Sequence, residues 1–159
     1  MTNPEKRTLV EALVARLRAD LDAMERAQRA TVAGAISEEA KSEHAKDTRA
    51  LEQTYLARGQ ARRVADLRAG IARVLAMPIR EFEADAAIAA GALVSIEAEE
   101  GASVLFVAPF GGGLRLERGE QVVTPASPLG RALIGRRAGD DCELVLDGRT
   151  RVFSIRSVA

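Results

Sequence analysis

Within ten residues the chain carries Glu38, Glu39, Glu43 and Asp47. On a helix Glu39, Glu43 and Asp47, spaced i, i+4 and i+8, share one face, where like charges repel. Two chemistries suit such a face. Either Lys41 and Lys46 screen the acids and the face is only solvated, or the carboxylates offer hard oxygen ligands to a Mg²⁺ ion that keeps several waters. Composition alone does not choose between them.

Other candidate sites read as structure. Gly130-Arg-Ala-Leu-Ile-Gly135-Arg136-Arg137 has the glycine spacing of a phosphate loop but lacks its Lys and Ser/Thr, and reads as a short helix with Gly135 as C-cap. Gly111-Gly112-Gly113 reads as a flexible hairpin turn, since no helix follows to present an N-terminus to phosphate. His44 has no Ser or Cys partner at a recognisable spacing and reads as a surface residue. Cys142 is the single cysteine, so an internal disulfide and a thiolate metal cluster are excluded, and one histidine leaves the common His/Cys zinc sites unmade.

The elements that position the acids follow from backbone punctuation. Between Pro4 and Pro78 there is no proline, and only Gly34, Gly59 and Gly70 interrupt a run rich in Ala, Leu, Arg and Glu, which is helix composition. Val10, Leu13, Leu17, Leu21, Met24 and Thr31 recur at helical spacing, as do Val64, Leu67, Ile71 and Val74 or Leu75. The segment predicts an antiparallel helical hairpin over about 6–76, folded back near 37–47, with Leu17, Leu21 and Met24 set near Val64, Leu67 and Ile71. Tyr55 falls on the second arm. Arms of roughly 30 residues, about 45 Å each, would carry the acidic tip well beyond a small domain.

From Pro78 onward come four of the five prolines, ten of the thirteen glycines and all four phenylalanines, which is strand-and-turn composition. ALVSIEA, SVLFVAPF and QVVTP read as strands. Ser127 and Pro128 stand in the favoured order of N-cap and first helical residue, and Asp147-Gly148 is a tight-turn pair joining two final strands. The fold class is α+β: a hairpin over 1–77, then a domain over 78–159 with a mostly antiparallel sheet and one short helix.

The chain has 159 residues, with 23 Lys and Arg against 23 Asp and Glu. A net charge of zero excludes a generally basic nucleic-acid coat and an acidic tail, so functional charge must be local. Two Glu and one Asp among the first 20 residues, with no long apolar run, fit neither a signal peptide nor a membrane span, so a cytosolic protein with no membrane partner is expected. One His, one Cys and the available acids assemble no nucleophile, base and orienting group, so no independent enzyme is expected.

The stretch VVTPASPLGRALIGRRAGDDCELVLDGRTRVFSIRSV resembles the C-terminal signature of Gre-type bacterial transcription elongation factors. In it a Ser-Pro-(Leu/Ile)-x-x-Ala-Leu-(Ile/Leu)-Gly helix precedes a Gly-Asp and a final hairpin. The matching residues are Ser127, Pro128, Leu129, Ala132, Leu133, Ile134, Gly135, Gly139 and Asp140. The resemblance implies a coiled coil followed by an FKBP-like domain over nearly the whole chain. It also implies a monomer that binds RNA polymerase through the C-terminal domain and inserts the coiled coil into the secondary channel. There the tip acids, Glu43 with Glu39 or Asp47, would help hold a Mg²⁺ shared with the polymerase, which cleaves backtracked transcript at the nascent RNA 3′ end. The free protein is expected to bind no metal tightly, because one exposed carboxylate offsets little of the ion's dehydration cost. Ser127, Pro128, Arg131, Arg136 and Arg137 are the candidate polymerase contacts.

The tip departs from the family's Gly-Asp-x-x-Glu-Asn-Ala-Glu-Tyr. Matched without a gap, Glu43 falls on the motif's Asp, Lys46 on its Glu and Asp47 on its Asn. Matching Glu43-His44-Ala45 to Glu-Asn-Ala instead puts Ala40, next to Glu39, at the Asp position. The alternative is a non-cleaving regulator of the same architecture, a secondary-channel inhibitor or a relative of the nucleoside diphosphate kinase regulators, whose usually shorter coiled coil fits the long arms less well. Prolyl isomerase activity is not expected, because Phe82, Phe106, Phe110 and Phe153 are the only aromatics of the second domain and read as core.

Overall fold

A computed structural model describes residues 3–39 and 48–159. Two long helices, α1 (Asn3–Glu39) and α2 (Thr48–Leu75), precede five strands and a third helix. The strands are β1 (Leu93–Ala98), β2 (Gly101–Val107), β3 (Gln121–Val123), β4 (Asp141–Leu146) and β5 (Arg149–Val158), with α3 (Pro128–Leu133) between β3 and β4. The α+β class expected from the sequence is what forms. The chain divides into two compact units, Met1–Val14 with Ala72–Ala159, and Ala15–Ile71.

In the unit of residues 15–71, the Arg68 guanidinium donates to the Glu25 carboxylate and joins the two helices. Parallel helices with this pair side by side would leave Glu39 and Thr48 about 50 Å apart, beyond the roughly 32 Å that the intervening chain can span. The helices are therefore antiparallel. Leu17, Val64, Leu67 and Ile71 are buried, and half-buried positions continue the stripe through Leu21, Glu25, Gln28 and Thr31 on one helix and Gln60, Ala57 and Gln53 on the other. The spacing of three and four is that of a coiled-coil seam. Met24, expected in this seam, is exposed. Glu25 occupies the inward position instead, because steps of four from Leu17 and Leu21 lead to residue 25. Beyond Leu21 on α1 and Val64 on α2 the described seam is mostly polar. Val32, Ile36, Leu51, Tyr55 and Leu56 are exposed.

The other unit is built on a sheet of order β3-β2-β1-β5-β4. Three of its four pairings are antiparallel, whereas β3 runs parallel to β2. The turn at Gly111–Gly113 thus does not make a β2–β3 hairpin. The chain first passes along the outer side of β3, where Val122 donates to Leu114 and Leu116 to Glu120, each at 2.8 Å, and then turns back into β3. The expected tight turn between β4 and β5 is present, with positive φ at Asp147 (51°) and Gly148 (72°).

Strand alternation gives the sheet two apolar faces. Val94, Ile96, Leu105, Phe153 and Ile155 pack with Ile88 and with Leu133 of α3. On the opposite face Phe106, paired in register with Leu93, lines a small crevice together with Lys6 and Val10 of α1 and Met77. In the same unit Leu9, Leu13, Val14 and Val74 are buried, each contributing about 1.5–3 kcal/mol.

Lys6 is the one cation among these buried residues, 1% exposed. Its Nζ donates to the Arg80 carbonyl at 2.7 Å and lies 4.4 Å from the centre of the Phe82 ring, against which the Arg80 guanidinium also rests at 4.7 Å. The carbonyl and the ring offset part of the cost of burying the charge. Burial, and then the charge of Arg80, push the Lys6 pKa down to about 8, against a smaller opposing pull from Glu81. The unfolded chain therefore holds a proton between about pH 8 and 10.5 that the folded chain has released, and folding becomes more favourable as pH rises through that window. In urea unfolding of wild type and Lys6→Met, the wild type should gain about 2–3 kcal/mol on the variant between pH 7 and pH 10. A pH-independent difference would contradict this placement of the charge.

Candidate partner-binding surface

The residues of the C-terminal signature form one local structure around α3. Ser127 caps the helix, its Oγ accepting from the Gly130 amide at 3.0 Å and donating to the Thr124 carbonyl at 2.8 Å, and Pro128 follows in the first turn. Leu129 and Ala132 pack against the core and Leu133 is fully buried. The helix ends with Ile134 as cap and Gly135 just beyond it at φ +81°, so Gly135 takes the left-handed position after the cap rather than the cap itself. The Gly135 amide donates to the Ile88 carbonyl at 2.9 Å. Asp140 accepts from the Arg137 amide at 2.9 Å through its carboxylate and from the Ile155 amide at 2.9 Å through its carbonyl.

Gly130 is held by a constraint that local pattern does not reveal. A Cβ there would stand 1.9 Å from the Thr124 carbonyl oxygen, so no other residue fits without moving the backbone.

These internal roles separate the predicted contact residues. Ser127 is committed to the cap, and the Arg137 guanidinium donates to the Asp85 carbonyl. Pro128, Arg131 and Ile134, three apart on the helix, stay exposed on one side of it, and Arg136 is exposed just after it. This is a small basic and apolar patch on a rigid cap, suited to an acidic partner surface.

The opposite side of α3 borders a cleft of about 300 Å³ over the sheet, lined by Ile96, Leu105, Leu129, Leu144 and Phe153. At its rim Arg151 pairs with Glu100 at 3.8 Å. Its lining draws on all five strands, a helix and two connecting segments, and only tertiary pairing brings those residues together.

Glu43 and Asp47 lie outside the described residues, as do Lys46, His44 and the side chain of Glu39. Among the described residues no three His, Cys, Asp or Glu side chains gather where they could hold a metal ion, and no helix is long and apolar enough to cross a membrane. Cys142 is buried, and burial raises its thiol pKa.

Neither a family model nor a curated protein matches the chain. Its structural neighbours include Gfh1 and GreA/GreB transcription factors. Gfh1 of Thermus aquaticus is 22% identical over 93% of this chain and 94% of that one, with a TM-score of 0.41. GreA factor homolog 1 of Thermus thermophilus is 21% identical over 93% and 95%, with a TM-score of 0.40. A GreA/GreB elongation factor from Nitrosomonas europaea is 19% identical over 60% and 78%, with a TM-score of 0.37. At these values the likeness decides nothing about what this chain binds.

The steric reading of α3 is testable by paired substitutions. Gly130→Ala should cost more than about 3 kcal/mol of unfolding free energy, because backbone must move. Gly135→Ala, at positive φ with open space around it, should cost only about 1 kcal/mol. Equal and small losses in denaturant melts would contradict the close approach at Gly130.

Proposed function

We propose that this chain is a Gre-type transcription elongation factor that binds RNA polymerase through the α3 patch and presents its helical pair to the secondary channel. The observation that carries this reading is the signature from Ser127 to Asp140. Its cap, first-turn proline, buried leucine, terminal glycine and Gly-Asp turn each have a defined place around α3, so the resemblance extends beyond letters to a built unit. A pair of antiparallel helices of 37 and 28 residues precedes that unit, in the order the resemblance calls for.

At the helix connection Glu39, Glu43 and Asp47 offer carboxylate oxygens, the donor type that suits Mg²⁺. A Mg²⁺ shared with the polymerase would there supply polarisation of an attacking water. This chain's own part is to bring one or two oxygens to a channel already rich in acids and phosphate, and to exclude bulk water by filling it. The protein by itself is not the nuclease. The non-cleaving alternative is favoured by one observation, the presence of Lys46 where the ungapped match wants an acid, since a cation there repels Mg²⁺.

Pull-down with core polymerase and a cleavage assay on stalled elongation complexes test this reading. Wild-type protein should bind at micromolar concentration and stimulate cleavage. Glu43→Ala should remove most stimulation with binding nearly unchanged, and the effects of Glu39→Ala and Asp47→Ala should show which acid acts with it. Binding without cleavage, with cleavage switched on by Lys46→Glu, would establish the regulator instead. Absence of polymerase binding would overturn both.

A further inference from the structure

β2 outruns the strand beside it. β1 pairs with it from Gly101 to Phe106, but β3 pairs only with Leu105, Phe106 and Val107. Among the described residues, Gly101–Val104 have no strand partner on the side away from β1, and all four are exposed. Val107 faces the β1 side, its amide donating to Ala92 at 2.9 Å and its carbonyl accepting from Gly91 at 2.8 Å. Main-chain groups alternate along an antiparallel strand, so Leu105 and Ser103 turn the same way, while Ala102 and Val104 turn outward. An edge open in this manner is a template for another strand.

Clefts flank this edge on both faces of the sheet. One is the apolar cleft of about 300 Å³ described above, reached past Ser103 and Leu105. The other, about 340 Å³, is lined by Val104, Arg118 and Glu120, and Ser103, Arg115 and Gln121 border both. Successive side chains of an added strand would enter opposite clefts. Glu120 is only 5% exposed, and its Oε2 is buried without a hydrogen-bond partner. Arg115 and Arg118 are exposed and make no ion pair among the described residues, whereas Glu100 is engaged by Arg151.

We propose that the β2 edge accepts an extended acidic segment of a partner protein as an added strand. An apolar side chain of that segment enters the cleft over the sheet, and the next residue, a Ser or Thr, brings its hydroxyl to Glu120. An Asp or Glu of the segment lies against Arg115 and Arg118. Main-chain pairing supplies affinity and the two clefts supply selectivity. A second copy of this chain is disfavoured, because edge-to-edge pairing would bring the same arginines together. A nucleic acid would satisfy the arginines but leave the outward amides and the apolar cleft unused. This site is separate from the α3 patch and does not depend on the polymerase reading.

The test uses the full chain, labelled with ¹⁵N, and a ten-residue peptide in which leucine alternates with serine and glutamate. At saturation, amide exchange should slow at Ala102 and Val104 and stay unchanged at Ser103. Methylating the peptide's edge-facing amides should weaken binding about tenfold or more, the loss of two net hydrogen bonds. Arg115→Glu combined with Arg118→Glu should weaken binding and remove its salt dependence, with the thermal midpoint unchanged. The proposal is overturned by any of four results. These are no binding at millimolar peptide, equal binding of the methylated peptide, tighter binding of a single-stranded oligonucleotide, or protection at Ala102 that grows with protein concentration alone.

Discussion

The structure depends on burial at the roots of its two long helices. Leu9, Val10, Leu13 and Val14 at the start of α1, and Val74 at the end of α2, are buried in the same compact unit as the sheet. Lys6 is fastened there by the Arg80 carbonyl and the Phe82 ring, and Arg73 lies 5.5 Å from the centre of the Phe110 ring. A long polar helix has little stability of its own in water and must borrow it from tertiary packing. In residues 15–71 that packing is concentrated in Leu17, Val64, Leu67 and Ile71. Beyond them a polar seam of Glu25, Gln28, Thr31, Gln53 and Gln60 succeeds it. A polar seam gives up stability relative to an apolar one.

Much of this architecture is legible in the sequence because it is local. Absence of proline and recurrence of apolar residues at three and four identify both helices, and Ser127-Pro128 and Asp147-Gly148 mark a helix start and a turn by chemistry that acts within a few residues. What escaped depends on residues far apart in sequence. The parallel pairing of β2 with β3 rests on a crossover whose return path no short pattern encodes. The close approach of Gly130 to Thr124 exists only once α3 has docked. Met24 falls outside the seam because Glu25, four residues beyond Leu21, reaches inward and pairs with Arg68 on the facing helix.

The candidate site divides along the same line. Resemblance singled out Ser127, Pro128, Arg131, Arg136 and Arg137 together, yet folding gives them unlike roles: Ser127 and Arg137 hold the cap and the neighbouring loop, leaving Pro128, Arg131 and Arg136 outward with Ile134. Part of the signature therefore serves the fold, and only hydrogen-bond partners separate that part from the residues left exposed. The acids at 39, 43 and 47 belong to a different category, since the role proposed for them depends on a partner's charges and phosphates.

Amide hydrogen exchange along α1 tests the rooting of the helices most directly. Amides of residues 9–14 should exchange only with the opening of the sheet, with protection matching that of β1 and β5, while amides of residues 24–36 on the same helix exchange at much lower free energy. Uniform protection along all of α1, or first turns that exchange before the middle of the helix, would contradict it.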